Sequence, residues 1–146
     1  MSSKPPFIGQ ERSDTCMIAC LRMLLAHRGK HITEASLLEH VSLELEQGGI
    51  DPDQLAALAR REGLNAEVRQ LALDSIAELV QKELYPIVLL DRSFLDGEFS
   101  HAVIPFRFTR RYVNVLDPLR GERRISLRKF VQACRRVDRW AVIWSR

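Results

Sequence analysis

The chain has 146 residues, of which 46% are hydrophobic and 28% charged, values typical of a single folded domain with its own core. No segment approaches the roughly 20 apolar residues that a membrane span needs, and residues 1–6 lack the apolar core of a secretory signal. The three cysteines, an odd number, do not make a disulfide framework, so we expect a reducing, cytoplasmic compartment.

The net charge of +3 is unevenly distributed along the chain. From Phe106 onward there are 12 Lys or Arg and 3 Asp or Glu, a surplus of 9, so the preceding part carries −6. A basic segment of this kind can hold an acidic peptide or nucleic acid, although scattered arginines more often form a solvated face. Because no Gly-rich phosphate loop and no aromatic-studded basic groove is present, we expect no nucleic-acid partner.

Helical periodicity dominates the first half of the chain. Ser13 or Asp14 is the expected cap of a helix that begins near Thr15, and Gly29 is expected to end it. Three more helices are predicted, and Gly48-Gly49 separates the first of them from the second. The first of these helices begins at the cap Thr33, the second runs from Asp51-Pro52 to Gly63, and the third runs from Ser75 to Glu83. A short strand is predicted at Asn65–Gln70, between the second and the third.

Strand patterns dominate the second half. Strands are predicted at Pro86–Asp91, Ser100–Thr109, Tyr112–Asp117, Glu122–Ile125 and Trp140–Trp144. A loop is expected at Ser93–Phe99, a hairpin turn at Arg110-Arg111, and a last helix capped by Ser126. We therefore predict an α+β fold in one domain, residues 1–146, with a helical N-terminal lobe at about 1–84 and an antiparallel β-sheet C-terminal lobe at about 85–146.

Four residues occur in the order that cysteine-nucleophile chemistry uses: Gln10, Cys16, His101 and Asp117. Cys16 is expected at a helix start, where unpaired N–H groups and the helix dipole favour the thiolate. In such a site Cys16 attacks a carbonyl, His101 acts as base and acid, and Asp117 orients the imidazole. The Gln10 amide and the Cys16 backbone N–H would stabilise the oxyanion. Adjacent antiparallel strands can bring His101 and Asp117 together.

Each of these residues has a more ordinary interpretation when it is taken alone. A buried cysteine in an apolar helix is usually a small hydrophobic residue, which is our interpretation of Cys20 and Cys134. A zinc site of Cys16, Cys20 and His27 would need a second close pair of ligands, which the sequence lacks. We therefore predict no metal and no cofactor. The histidines outside the candidate site are interpreted as structural: His27, His31 and His40.

Residues 10–25 resemble the nucleophile motif of the bacteriocin-processing cysteine peptidases, the papain-like domains at the N-terminus of peptide-exporting ABC transporters. The family motif has a Gln, four residues, Asp-Cys-Gly, and then Ala-Cys-Leu with an apolar helix. Here Gln10, Cys16 and Ala19-Cys20-Leu21 match it. The resemblance covers nearly the whole chain and continues at Gly49, Leu55, Ala59, Glu62-Gly63-Leu64, His101-Ala102-Val103, Val115-Leu116-Asp117-Pro118 and Gly121.

This resemblance implies a papain-like fold and a role for each of the four residues. Cys16 would be the nucleophile, His101 the base and acid, Asp117 the orienting carboxylate, and Gln10 the oxyanion-hole donor. The resemblance also implies cleavage of leader peptides after a double glycine, in a narrow cleft that accepts only small residues and without a cofactor in the peptidase step. A membrane transporter complex is the implied partner, with no insertion of this chain into the membrane.

The sequence departs from the family pattern in three ways, which affect how far the family's properties apply to this chain. Thr15 replaces the Asp before the nucleophile, and Met17 replaces the glycine after it. Because a glycine there lets substrate approach closely, we expect Met17 to reshape the cleft and to affect double-glycine specificity more than thiol chemistry. The chain also ends at Arg146 with no transporter attached, and its native-looking termini favour a free-standing relative over an excised domain.

The sequence therefore predicts a cysteine peptidase that cleaves after small residues in a leader or partner peptide through an acyl-enzyme. Two alternatives stay open. One is a relative that binds peptide without hydrolysis, against which the intact Cys16, His101 and Asp117 argue. The other is an acyl transferase or isopeptidase that uses the same thiol, since hydrolysis and transfer share one acyl-enzyme and differ in the second acceptor.

Overall fold

The computed structural model describes residues 4–41, 50–91, 93 and 100–145. Within these ranges the helices are α1 (Cys16–His27), α2 (Glu34–Leu38), α3 (Pro52–Arg61), α4 (Leu73–Gln81) and α5 (Leu127–Arg136). The strands are β1 (Asn65–Gln70), β2 (Ile87–Asp91), β3 (Ser100–Phe108), β4 (Tyr112–Asp117), β5 (Gly121–Ser126) and β6 (Trp140–Ser145). The predicted α+β class is confirmed. No helix in these ranges is long and apolar enough to cross a membrane.

The six strands form one antiparallel sheet in the order β1-β6-β2-β3-β4-β5. β1 pairs with β6 along its whole length, so one strand from before residue 84 joins the sheet that the later strands form. β3 and β4 make the predicted hairpin, with Ile104 opposite Leu116. The pairing shifts register between Pro105 and Arg107. A bulge there accommodates a proline, which has no N–H for the ladder.

Helices cover both faces of the sheet because the strand residues alternate between two cores. On one face, Leu21 and other apolar residues of α1 share a buried cluster with Ala102 and Ile104 of β3. On the other face, Phe130 of α5 shares a second cluster with Val103 of β3. α1 and α5 therefore lie on opposite faces of the sheet.

Most predicted helix boundaries agree with the structure, and the glycine stops are confirmed. Gly29 and Gly63 follow α1 and α3 with φ of +85° and +95°, a backbone region that a glycine adopts without the steric penalty of a Cβ. Thr33 accepts a hydrogen bond from the Ser36 N–H at 3.1 Å. The predicted cap Ser126 accepts from the Lys129 N–H at 3.3 Å, and α3 opens at Asp51-Pro52 as predicted, where Asp51 accepts from the Gln54 N–H at 2.8 Å.

One predicted helix cap and one predicted helix start are wrong. Neither Ser13 nor Asp14 caps α1, because Thr15 occupies the N-cap position and makes no side-chain cap bond. α4 begins at Leu73 instead of Ser75. Leu73 packs against the second core cluster, so packing sets this start where no capping side chain is present. The predicted Gly48-Gly49 break and residues 94–99 of the predicted loop lie outside the described residues.

Candidate active site

The N-terminal arm, residues 4–10, lies against the corner that follows β4. The Gln10 N–H donates to the Pro118 carbonyl at 3.0 Å. Lys4 forms an ion pair with Glu122 at 2.6 Å and lies over the Phe106 ring, 5.3 Å from its centroid. These contacts hold Gln10 beside the end of β4.

Cys16 is the first residue of α1 and has a half-buried, free thiol. The turn before it is fixed by the fully buried Thr15, whose hydroxyl donates to the Arg12 carbonyl at 3.0 Å and accepts from the Arg12 N–H at 3.1 Å. Because the N-cap residue Thr15 makes no side-chain cap bond, the first-turn N–H groups are left to stabilise negative charge at this end of the helix.

His101 and Asp117 meet where β3 begins and β4 ends. Both side chains are buried, at 5% and 4% exposure, and His101 Nε2 lies 2.6 Å from Asp117 Oδ1. The Cys16 side chain, at the start of α1, contributes with Asp117 to a raised pKa of the imidazole, and Nδ1 is the ring nitrogen that Asp117 leaves free. The β3–β4 hairpin thus joins the imidazole and the carboxylate, and α1 brings the thiol beside them.

Several groups stabilise the ionised form of Asp117. Besides His101, the Leu119 N–H donates to Oδ1 at 2.9 Å and Arg123 Nη1 lies 3.3 Å from Oδ2. Burial alone would raise the pKa of Asp117. The hydrogen bond and charge of His101, the Leu119 N–H and the Arg123 charge outweigh it, so the pKa lies below its usual value.

The imidazole is held in its protonated form. Burial by itself lowers the pKa of His101, but hydrogen bonds to Asp117 and Cys16, together with the charges of these two groups, raise it to about 9. An imidazolium beside a thiol favours the thiolate, which is the nucleophilic form. This arrangement can attack a carbonyl carbon and protonate a leaving group.

The other two cysteines have a different environment. Cys20 and Cys134 are both buried. Burial, with the charges of Cys16 and Asp117, raises the pKa of Cys20 well above its ordinary value, and burial raises the pKa of Cys134 to about 12. Their thiols are therefore protonated near neutral pH and pack as small hydrophobic groups. Among the described residues, no three His, Cys, Asp or Glu side chains are grouped to hold a metal ion.

The Gln10 side chain lies between the Pro118 corner and the turn before Cys16. Its Nε2 donates to the Arg12 carbonyl at 2.8 Å, and because a primary amide has two N–H donors, one remains for a substrate oxygen. The Gln10 Oε1 is buried and accepts no hydrogen bond within the described part of the chain. Gln10 is thus brought to the same region as the other three predicted residues.

Two residues that contact this site were not predicted as members of it. Thr15 orders the turn between Gln10 and Cys16, and Arg123 contacts Asp117. In the β4–β5 pairing Asp117 lies opposite Gly121, so Arg123, two residues further, is its diagonal neighbour on the same face. The sequence predicted both strands, but the contact between Arg123 and Asp117 could be inferred only with the register of the β4–β5 pairing.

A family model matches most of the chain. The model described as the peptidase C39 family matches residues 4–135. Comparison with curated proteins gives no match.

Several solved structures share the fold. The chain is similar to a double glycine motif protease from an AMS/PCAT transporter, solved with its leader peptide, at 22% identity and a TM-score of 0.72, over 97% of this chain and 91% of that chain. It is similar to a C39-like peptidase from Bacillus anthracis at 16% identity and 0.78, over 99% and 98%. The peptidase domain of Streptococcus ComA, a bi-functional ABC transporter involved in quorum sensing, gives 16% and 0.74, over 95% and 96%. With the family model matching most of its length, this chain belongs to the peptidase C39 family and is a cysteine peptidase.

Proposed function

We propose that this peptidase cleaves a leader or partner peptide after small residues of the double-glycine type, with Cys16 as its nucleophile. The observation that carries the proposal is the buried His101, whose Nε2 lies 2.6 Å from Asp117 Oδ1 and whose pKa is raised by both Asp117 and Cys16. A protonated imidazole between a carboxylate and a thiol at a helix start is the arrangement that acyl transfer to sulfur requires.

The proposed reaction has two steps. The Cys16 thiolate attacks the scissile carbonyl carbon, and the oxyanion accepts hydrogen bonds from the Gln10 amide and the Cys16 backbone N–H. The C–N bond then breaks as the His101 imidazolium gives its proton to the leaving nitrogen, which leaves a thioester on Cys16. In the second step His101 takes a proton from water, the hydroxide attacks the thioester, and the thiol leaves as the thiolate beside a reprotonated imidazole.

Double-glycine specificity is supported by the motif and by the relatives. One similar structure is a double glycine motif protease bound to a leader peptide. Met17, which follows the nucleophile, is half-buried and packs against the first core cluster. Because its side chain is in part directed to the core, we infer that the cleft still admits small residues beside the scissile bond and excludes large ones.

We further propose that the substrate is presented by a membrane transporter. The supporting observation is that two of the similar structures come from ABC or AMS/PCAT transporters. A reducing compartment such as the cytoplasm suits this proposal, because the mechanism needs a free Cys16 thiol.

The test uses a synthetic leader-like peptide with one Gly-Gly site and a matched peptide with Leu in place of the second Gly. Product masses are compared for the wild type, Cys16→Ala and Cys134→Ala. We expect cleavage after Gly-Gly by the wild type and by Cys134→Ala, no cleavage by Cys16→Ala, and at least about tenfold slower cleavage of the Leu peptide. Cleavage by Cys16→Ala, or equal rates on the two peptides, would contradict the proposal. Attachment of the acyl group to an added amine instead of water would identify a transferase.

A further inference from the structure

A second concave surface lies on the outer side of α5, and nothing in the peptidase mechanism uses it. Its floor is apolar and half-buried, formed by Leu73, Leu127 and Val131. We call it the arginine-rimmed groove, because four arginine side chains line it: Arg110, Arg111, Arg128 and Arg135.

The groove is remote from the candidate active site. It lies at the turn of the β3–β4 hairpin, whereas His101 and Asp117 lie at the opposite end of that hairpin. Arg110 is nine residues after His101, which corresponds to roughly 30 Å along an extended strand. Cys16 belongs to α1, and α1 packs on the sheet face opposite to α5. A ligand in the groove would therefore not touch the thiol.

The positive charge of the rim is not balanced by the residues that the structure describes. Among them, no Asp or Glu lines the groove. None of its four arginines forms an ion pair with a carboxylate in the described ranges. The like charges repel one another across the groove, and their mutual repulsion is a cost that an anionic partner would remove.

Arg128 stands at the helix end where a cation is least favourable. The first turn of α5 contains Arg128 and Lys129 and no acidic residue. The positive end of the helix dipole disfavours cations there. The charge at this position is therefore not explained by the stability of the helix.

The apolar floor continues beyond the rim. A neighbouring cavity between the start of α4 and α5 shares Leu73, Val131 and Arg135 with the groove and adds Ile76. The combined surface follows α5, which has ten residues and is about 15 Å long. This length suits two to three turns of helix or a short extended segment.

We propose that the arginine-rimmed groove binds an acidic amphipathic segment of a partner protein. Carboxylates of that segment would pair with the rim, where guanidinium groups hold them in two-pronged hydrogen bonds. Its aliphatic side chains would cover Leu127 and Val131. The described residues of the lining include no exposed aromatic side chain on which bases could stack, and the concave, apolar floor favours a peptide over a flat membrane surface.

The test measures binding of a labelled peptide of about 14 residues, long enough to follow α5, with Glu on one helical face, Leu on the other and no Gly-Gly site. A scrambled peptide of the same composition is the ligand control. The proteins are the wild type, Arg128→Glu, Val131→Thr, and Arg61→Glu on α3 as a charge-matched control. Arg128→Glu is suited to the test because it places an acidic residue at the favourable end of α5, so loss of fold is not expected.

We expect Arg128→Glu to weaken binding about fivefold and Val131→Thr several-fold, with Arg61→Glu unchanged. Binding should weaken further between about 50 and 200 mM salt. Equal losses in Arg128→Glu and Arg61→Glu, or equal binding of the scrambled peptide, would overturn the proposal. So would binding of vesicles with anionic lipid in place of the peptide. Cys16→Ala should bind the labelled acidic peptide as the wild type does, and Arg128→Glu should cleave the Gly-Gly peptide as the wild type does. A failure of the groove proposal can therefore be told apart from a failure of the proposed function.

Discussion

His101 is the residue on which the pH dependence of the proposed mechanism rests. Burial lowers its pKa, but Asp117 and Cys16 together raise it to about 9. The imidazolium is therefore present at neutral pH and is lost as the pH rises through about 9. Since the leaving nitrogen takes its proton from this ring, we expect kcat/KM to fall along an alkaline limb near that pH.

The substitution Asp117→Asn tests the cause of this raised pKa. It removes the charge and the strongest acceptor that favour the imidazolium, so the effect of burial then prevails. We expect the alkaline limb to move down by about 1–3 pH units and kcat/KM at neutral pH to fall about 100-fold. The measurement is kcat/KM on the Gly-Gly peptide over the range of pH 5 to about 10. An unchanged limb in Asp117→Asn would mean that Asp117 does not set the protonation of His101.

Arg123 is expected to act as a positioning residue through Asp117. Its guanidinium lies 3.3 Å from Asp117 Oδ2, and its side chain is 24% exposed. Because the Arg123 charge lowers the pKa of Asp117, its loss should raise that pKa and free the carboxylate to turn. For Arg123→Gln we expect kcat to fall about tenfold with little change in KM, and Arg123→Lys to recover part of the loss.

The matched control for Arg123 is its neighbour Arg124, an exposed residue whose guanidinium lies over the Tyr112 ring at 5.0 Å from the centroid. Arg124→Gln should leave kcat and its pH profile unchanged. Equal losses in Arg123→Gln and Arg124→Gln would assign the effect to general surface charge and would remove Arg123 from the site.

At the scale of elements, the turn before α1 connects the oxyanion donor to the nucleophile. Thr15 is fully buried and both hydrogen bonds of its hydroxyl go to Arg12. Thr15→Val keeps the shape and removes both bonds, which should lower the free energy of unfolding by about 1–3 kcal/mol, as measured by urea denaturation. Thr15→Ser keeps the hydroxyl and should lose less. If Thr15→Val were as stable as the wild type, the turn would not depend on this hydroxyl.

The elements also show what the sequence could predict. The β3–β4 hairpin and the α3 start were predictable, because apolar alternation and Asp51-Pro52 are local signals. The cap of α1 was not, because Thr15 uses its hydroxyl within the preceding turn, and a capping preference does not reveal which N–H a side chain will choose. The start of α4 depends on the packing of Leu73 against residues of distant strands, which local periodicity does not contain.

The residues of the candidate site were also predictable only in part. Gln10, Cys16, His101 and Asp117 were predicted from residue types, their order and the family motif. Arg123 was missed because its contact with Asp117 depends on a diagonal relation across β4 and β5. A contact that depends on strand register can be inferred only after the hairpin is aligned.

At the scale of the whole molecule, the candidate active site and the arginine-rimmed groove lie at opposite ends of the β3–β4 hairpin. His101 and Asp117 lie at the end where β3 begins and β4 ends, and the groove lies at the hairpin turn, beside α5. Part of the positive charge that follows Phe106 lies at these two surfaces. Arg123 contacts Asp117 in the site, and the groove is lined by Arg110, Arg111, Arg128 and Arg135. We infer that one partner could occupy both surfaces only with a segment that extends along the length of this hairpin.

The central claim is that Cys16 is an activated thiol paired with His101. It is tested most directly by intact-mass analysis after reaction with a limiting thiol alkylator at about pH 6, where an unactivated thiol is almost fully protonated. The wild type should form one fast adduct at Cys16, while Cys20 and Cys134 stay unmodified, and His101→Ala should react much more slowly. Slow modification divided equally among the three cysteines, or a rate unchanged in His101→Ala, would contradict the claim.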